Sequence, residues 1–130
     1  KYFTVESWKA TVEQSENGEV TTEAVVKVNA GGKVLEQTSR GNGPVNALDK
    51  ALRAALEKIY PELAKLELID YKVRILEGVK GTGAVTRVLI ETTDGNSQWD
   101  TVGVHENVIA ASWNAISDAV TYGLLKANVK

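Results

Sequence analysis

The chain has 130 residues, no cysteine, one histidine and a net charge of −2 spread along the sequence. Disulfides and thiolate metal sites are excluded, a histidine-based metal site lacks its ligand set, and a nucleic-acid surface lacks its basic patch. The hydrophobic share of 43% suffices for one domain's core, and no apolar run reaches the length of a membrane span.

The chain opens Lys1-Tyr2-Phe3 without Met and with no visible signal peptide. These residues already read as a strand, which points to a piece cut from a longer protein. Tyr2 to Glu13 alternates and is rich in β-branched and aromatic residues, so it predicts a strand. Ser15-Glu16-Asn17-Gly18 predicts a hairpin, with Asn-Gly in a type I′ turn. Val20 to Asn29 returns as a strand with Ala24, Val26 and Val28 on one face. Gly31-Gly32 turns the chain, and Lys33 to Arg40 is the third strand.

Gly41 to Pro44 breaks the sheet pattern, and Pro44 suits the first turn of a helix. Val45, Leu48, Leu52, Leu56 and Ile59 follow at helical spacing, and Pro61 marks the end. Leu66 to Glu77 predicts strand four, with Ile69, Tyr71, Val73 and Ile75 on one face. A glycine-rich connection, Lys80-Gly81-Thr82-Gly83, leads to strand five (Ala84 to Thr93), and Asp94-Gly95-Asn96 turns into strand six (Gln98 to Val104). Asn107 is placed to cap a second helix striped by Ile109, Trp113, Ile116, Val120 and Leu124.

The order βββα therefore occurs twice. A shift of 64 residues (109 minus 45) carries Val45 onto Ile109, Ala24 onto Val88, Val26 onto Ile90 and Ala51 onto Ala115. The same shift pairs Glu6 with Asp70 and Glu36 with Asp100. The expected class is α+β: a duplicated unit, two antiparallel three-stranded sheets and two helices. Residues 1–130 are expected to form one domain of two pseudo-repeats, 1–65 and 66–130, joined only by Pro61 to Lys65.

Residues able to do chemistry are few. Arg40-Gly41-Asn42-Gly43-Pro44 puts glycines before a helix N-terminus, whose free N–H groups and dipole suit a carboxylate. A plain strand-to-helix turn accounts for the same residues. His105-Glu106 sits at the matching place in the second half, but no nucleophile accompanies it, and a surface-loop histidine is the preferred reading. Gly81-Thr82-Gly83 lacks the Gly-Lys-Ser/Thr ending of a phosphate loop and reads as a mobile loop that folds over a ligand. Trp113 belongs to the core stripe, whereas Trp8 and Trp99 suit either core or interface. The profile favours binding over catalysis, with no catalytic and no metal-ligating residue assigned.

Gly41-Asn42-Gly43-Pro44-Val45 resembles the loop in the C-terminal regulatory domain of the 2-isopropylmalate synthase and citramalate synthase family. Leu68-Ile69-Asp70-Tyr71 is similar to the family's strand with an Asp-Tyr pair. The run from Trp99 to Ile109 resembles its Trp-x-Thr-Val-Gly-Val-x-x-Asn-Ile-Ile signature. Ala110-Ala111-Ser112-Trp113, the Gly-Thr-Gly-Ala stretch and Tyr122-Gly123-Leu124 lean toward the citramalate synthase side.

The resemblance implies a duplicated βββα domain that forms a homodimer and binds an end-product amino acid. That effector is isoleucine on the citramalate branch and leucine on the isopropylmalate branch. It also implies a separate upstream catalytic TIM barrel with a divalent metal, condensing acetyl-CoA with a 2-oxo acid in the cytoplasm, so this domain needs no cofactor and performs no catalysis itself. Neither nucleic acid nor membrane is an expected partner. Carried over by position, the effector pocket comprises Gly41, Asn42, Gly43, Pro44, Val45, Leu68, Tyr71, Ile75, Val85 and Ile109. A dimerisation module that senses nothing is the remaining alternative.

Overall fold

Alternating apolar and polar residues build the strands here, and a 3.6-residue apolar stripe builds each helix that covers them. The computed structural model describes residues 2–76 and 85–127. The predicted Gly81-Thr82-Gly83 loop, Glu77 and Ala84 lie outside the described residues. The chain forms two compact units, Lys1–Ala64 and Lys65–Lys130. Each is a βββα module.

In the first unit, β1 (Thr4–Gln14), β2 (Val20–Ala30) and β3 (Lys33–Gly41) form an antiparallel sheet with β2 central. Helix α1 (Pro44–Glu57) packs on β3 and β2 and touches β1 least. Ala24, Val26 and Val28 point at the helix and are fully buried beneath Leu48, Ala51, Leu52, Ala55 and Leu56. Pro61 opens a 3-10 turn (Pro61–Lys65) after the helix. Tyr60 donates its hydroxyl to the carbonyl of Tyr2 at 2.7 Å, and the two rings meet edge to face, tying the chain's start to the end of α1.

The second unit repeats the plan. Strands β4 (Glu67–Leu76), β5 (Val85–Thr93) and β6 (Gln98–His105) pair antiparallel in that order, and α2 (Val108–Lys126) lies over β6 and β5. Val88 and Ile90 carry the buried face of β5 under Ala115, Ile116, Ala119, Val120 and Leu124. The Trp99 indole is buried and donates to the Ala119 carbonyl at 3.2 Å, and Thr101 Oγ1 donates to that of Ala115 at 2.7 Å. Trp113 is in the core.

Three local features differ from the sequence reading. The β1–β2 turn closes with Gly18 N–H donating to Ser15 O, so Glu16 and Asn17 are its central residues. Gly18, at φ 89, follows them as the left-handed residue of a three-residue loop, not as half of a type I′ pair. Second, the first strand of each sheet carries a bulge, between Val5 and Ser7 in β1 and between Leu68 and Asp70 in β4. The bulge takes Ile69 out of the alternation, so Tyr71, Val73 and Ile75 share a face without it. Third, β1 and β4 are related by 63 residues (71 minus 8), not 64: Trp8 faces Val26 as Tyr71 faces Ile90. The structural mate of Asp70 is therefore Ser7, and the Glu6/Asp70 pairing is corrected.

Candidate functional site

The two helix entrances are built differently although they occupy matching positions. At the first, β3 ends on Gly41, where a Cβ would lie 2.6 Å from Ala47 N and 3.0 Å from Ala47 Cα. Only glycine lets the strand end press so close to the helix start. Gly43 is the N-cap with φ 179, an extended conformation open to any residue, and a Cβ there would meet nothing within 4 Å. Its carbonyl accepts from Ala47 N at 3.0 Å, while Asn46 Oδ1 reaches back to Asn42 N at 3.3 Å. Pro44 at N1 has no N–H, and Gly43 has no side chain to cap with. The N–H groups of Val45 and Asn46 are left at an uncapped positive helix end, a favourable place for a carboxylate.

At the second entrance, Asn107 Oδ1 accepts from Ile109 N at 2.8 Å and Ala110 N at 3.0 Å, and the Asn107 carbonyl accepts from Ala111 N at 2.9 Å. The Asn107 N–H donates to His105 Nδ1 at 2.9 Å. That entrance satisfies itself. His105 is thus a local acceptor beside a helix cap, and its Nδ1 carries no proton in this arrangement.

Five expected pocket residues, Gly41 to Val45, are contiguous at the first entrance. The other five lie in the second unit. Tyr71 and Ile75 stand two places apart on the same helix-side face of β4, counting through Val73. The Tyr71 hydroxyl is 3.3 Å from Ser112 Oγ, and Ser112 gives its single proton to the Val108 carbonyl at 2.7 Å. Tyr71 is therefore the donor to Ser112, and the free side of its oxygen is an acceptor. Ile109 lies one turn before Ser112 on the same side of α2, so α2 presents it toward the Tyr71 side of the sheet. Leu68 is half-buried beyond the β4 bulge, in the row of Thr92 and Trp99. Val85 pairs with Leu76 on the opposite face of the sheet from Tyr71 and Ile75.

Each helix covers two strands of its sheet, leaving the helix side of the third open. Val12 on β1 is 56% exposed, and Val73 and Ile75 on β4 are 44% and 69% exposed. Sequence reasoning passed over Ser112, a buried hydroxyl that orients Tyr71, and Asp49. Asp49 is only 6% exposed and accepts both Arg53 Nε at 3.1 Å and Arg53 Nη2 at 2.6 Å. Burial raises the Asp49 carboxyl above its ordinary value, and the Arg53 charge and hydrogen bonds oppose that shift. The i, i+4 spacing of Asp49 and Arg53 is the signal that would have found the pair.

Residues 1–124 match the LeuA allosteric (dimerisation) domain. The chain belongs to that family. It is 65% identical over 99% of its length to the (R)-citramalate synthase of Streptomyces coelicolor, and 48% identical over 96% to that of Aquifex aeolicus. It is 30% identical over 81% of its length to the 2-isopropylmalate synthase of Shewanella sp. strain ANA-3. The chain spans 24% of the length of the first two relatives and 19% of the third. In a domain of the LeuA family, the uncapped α1 entrance and the Tyr71–Ser112 contact are the two places with ligand-binding chemistry described above.

Proposed function

We propose that this domain binds isoleucine, forms a homodimer, and lowers acetyl-CoA/pyruvate condensation by the catalytic part of an (R)-citramalate synthase polypeptide. The observation carrying this reading is the contrast in similarity: 65% and 48% identity to proteins named (R)-citramalate synthase, against 30% to 2-isopropylmalate synthase. The geometry supports it. The effector's carboxylate is assigned to the Val45 and Asn46 N–H groups at the uncapped end of α1, and its ammonium to backbone carbonyls or the Asn42 side chain of the same loop. Val45 at that end is assigned to the aliphatic chain, whose full burial is worth roughly 1.5–3 kcal/mol. Leu68, Ile75 and Ile109 are the second unit's expected effector positions, and Val85 lies on the opposite face of its sheet.

The exposed strips at Val12 and at Val73–Ile75 favour the dimer, because burying them requires a second surface. Feedback follows if isoleucine binds one arrangement of the dimer better than another, with a coupling of about 1–3 kcal/mol. Leucine has the same volume and a different branch point, so shape discriminates by only about 1–3 kcal/mol. The leucine-sensing reading is the competitor because isopropylmalate synthases also match the chain. Competitive calorimetry with both amino acids tests the proposal: tighter binding of isoleucine supports it, and tighter binding of leucine overturns it.

A further inference from the structure

The two sheets have outer faces, turned away from their helices, that duplication has made unlike. On the second sheet the cross-strand partners form rows. Asp70, Glu91 and Asp100 make an acidic row, Lys72, Leu89 and Val102 the next, and Arg74, Arg87 and Val104 the third. Arg74 and Arg87 are direct partners across β4 and β5. Like charges in that relation repel and destabilise the pair. Lys72 is 3.7 Å from the Asp70 carboxylate, whereas neither arginine forms an ion pair with a carboxylate among the described residues. Lys72, Val73, Arg74, Arg87 and Leu89 line a cleft of about 320 Å³.

The first unit supplies an internal control. The mates of Arg74 and Arg87 there are Thr11 and Glu23, and Glu23 is 3.9 Å from the Arg40 guanidinium. The same fold thus carries this position with its charge balanced locally. In the second unit the balance is missing, and two guanidinium forks stand side by side at a cleft with an apolar floor at Leu89. Guanidinium forks match the paired oxygens of phosphate, and one dianionic group can neutralise both.

We propose that the outer face of the second sheet is an anion site in which Arg74, Arg87 and Lys72 hold the phosphate groups of a small phosphorylated ligand. Its residues lie on the other face of the second sheet from Tyr71 and Ile75.

The test titrates the intact 130-residue chain with inorganic pyrophosphate and with ADP, followed by backbone amide NMR. Either probe should give saturable shifts centred on Arg74, Arg87 and Leu89, weakening as salt is raised. Arg87→Glu, which installs the residue type of the first unit, and Arg74→Gln should each weaken binding about tenfold or more. Arg40→Gln should leave it unchanged, and unaltered dispersion of the other amides shows that each variant is folded. Saturation by both probes identifies phosphate as the recognised group, and saturation by ADP alone identifies a nucleotide. Absence of saturable shifts with both probes, or equal binding by Arg87→Glu, overturns the proposal.

Discussion

Replacing Gly103 with alanine probes the contact that seats α2 on its sheet. A Cβ at Gly103 would stand 2.9 Å from the Ala111 carbonyl carbon and 3.0 Å from Ala115 N, and would run into the Ala111 oxygen. All three are helix backbone atoms, so no side chain can swing aside, and α2 must lift from β6 by a large part of an ångström. Lifting stretches the Thr101–Ala115 and Trp99–Ala119 hydrogen bonds, now 2.7 and 3.2 Å, and opens gaps under Ile116 and Val120. Overpacking of this kind costs about 1–3 kcal/mol, and a backbone obstruction belongs at the upper end. Urea denaturation read by tryptophan fluorescence measures it, because Trp99 and Trp113 both report on this unit. A loss of about 3 kcal/mol is expected. Gly43→Ala is the control: its Cβ meets nothing within 4 Å and its φ is extended, so it should stay within about 0.5 kcal/mol of the parent. If Gly103→Ala matched that control, the reasoning about close approach would be refuted.

Three other predictions use the same material. Asn107→Ala leaves the Ile109 and Ala110 N–H groups uncapped and should cost about 1 kcal/mol in denaturant unfolding. Gly43→Asp places a carboxylate at the open end of α1; the chain should fold as before yet bind isoleucine about tenfold or more weakly in calorimetry. Asp49 has a raised carboxyl pKa, so the folded state holds its proton more readily than the unfolded state. Its contribution to stability is therefore most favourable at low pH and declines as pH rises from the ordinary 3.8 through the folded value. Against Asp49→Asn as reference, the parent should gain relative stability as pH is lowered through that window, measured by urea midpoints.

Much of the fold was legible because hydrophobic period and turn chemistry agree along the chain. Alternation at Ala24, Val26 and Val28 and again at Val88 and Ile90 identified both central strands. Pro44 and Asn107 marked both helix starts. The edge strands β1 and β4 were read less well, since a bulge adds a residue without any compositional mark. That extra residue displaced Ile69 from its face and moved the repeat from 64 to 63 between β1 and β4. Buried polar groups were also hidden: nothing in the sequence pattern singled out Asp49 or Ser112 as buried, and their partners are Arg53 and Tyr71. The glycine-rich entrance was visible as a pattern, but its meaning depends on the contrast with the Asn107 cap. Gly41 is required by contact with Ala47, whereas Gly43 is not required by conformation and matters only if something approaches it.

The most direct measurement is calorimetric titration of isoleucine, then leucine, into this domain. Saturable heat with isoleucine, and binding to leucine weaker by about tenfold or more, is the predicted result. Tighter binding of leucine, or no heat with either amino acid, would contradict it.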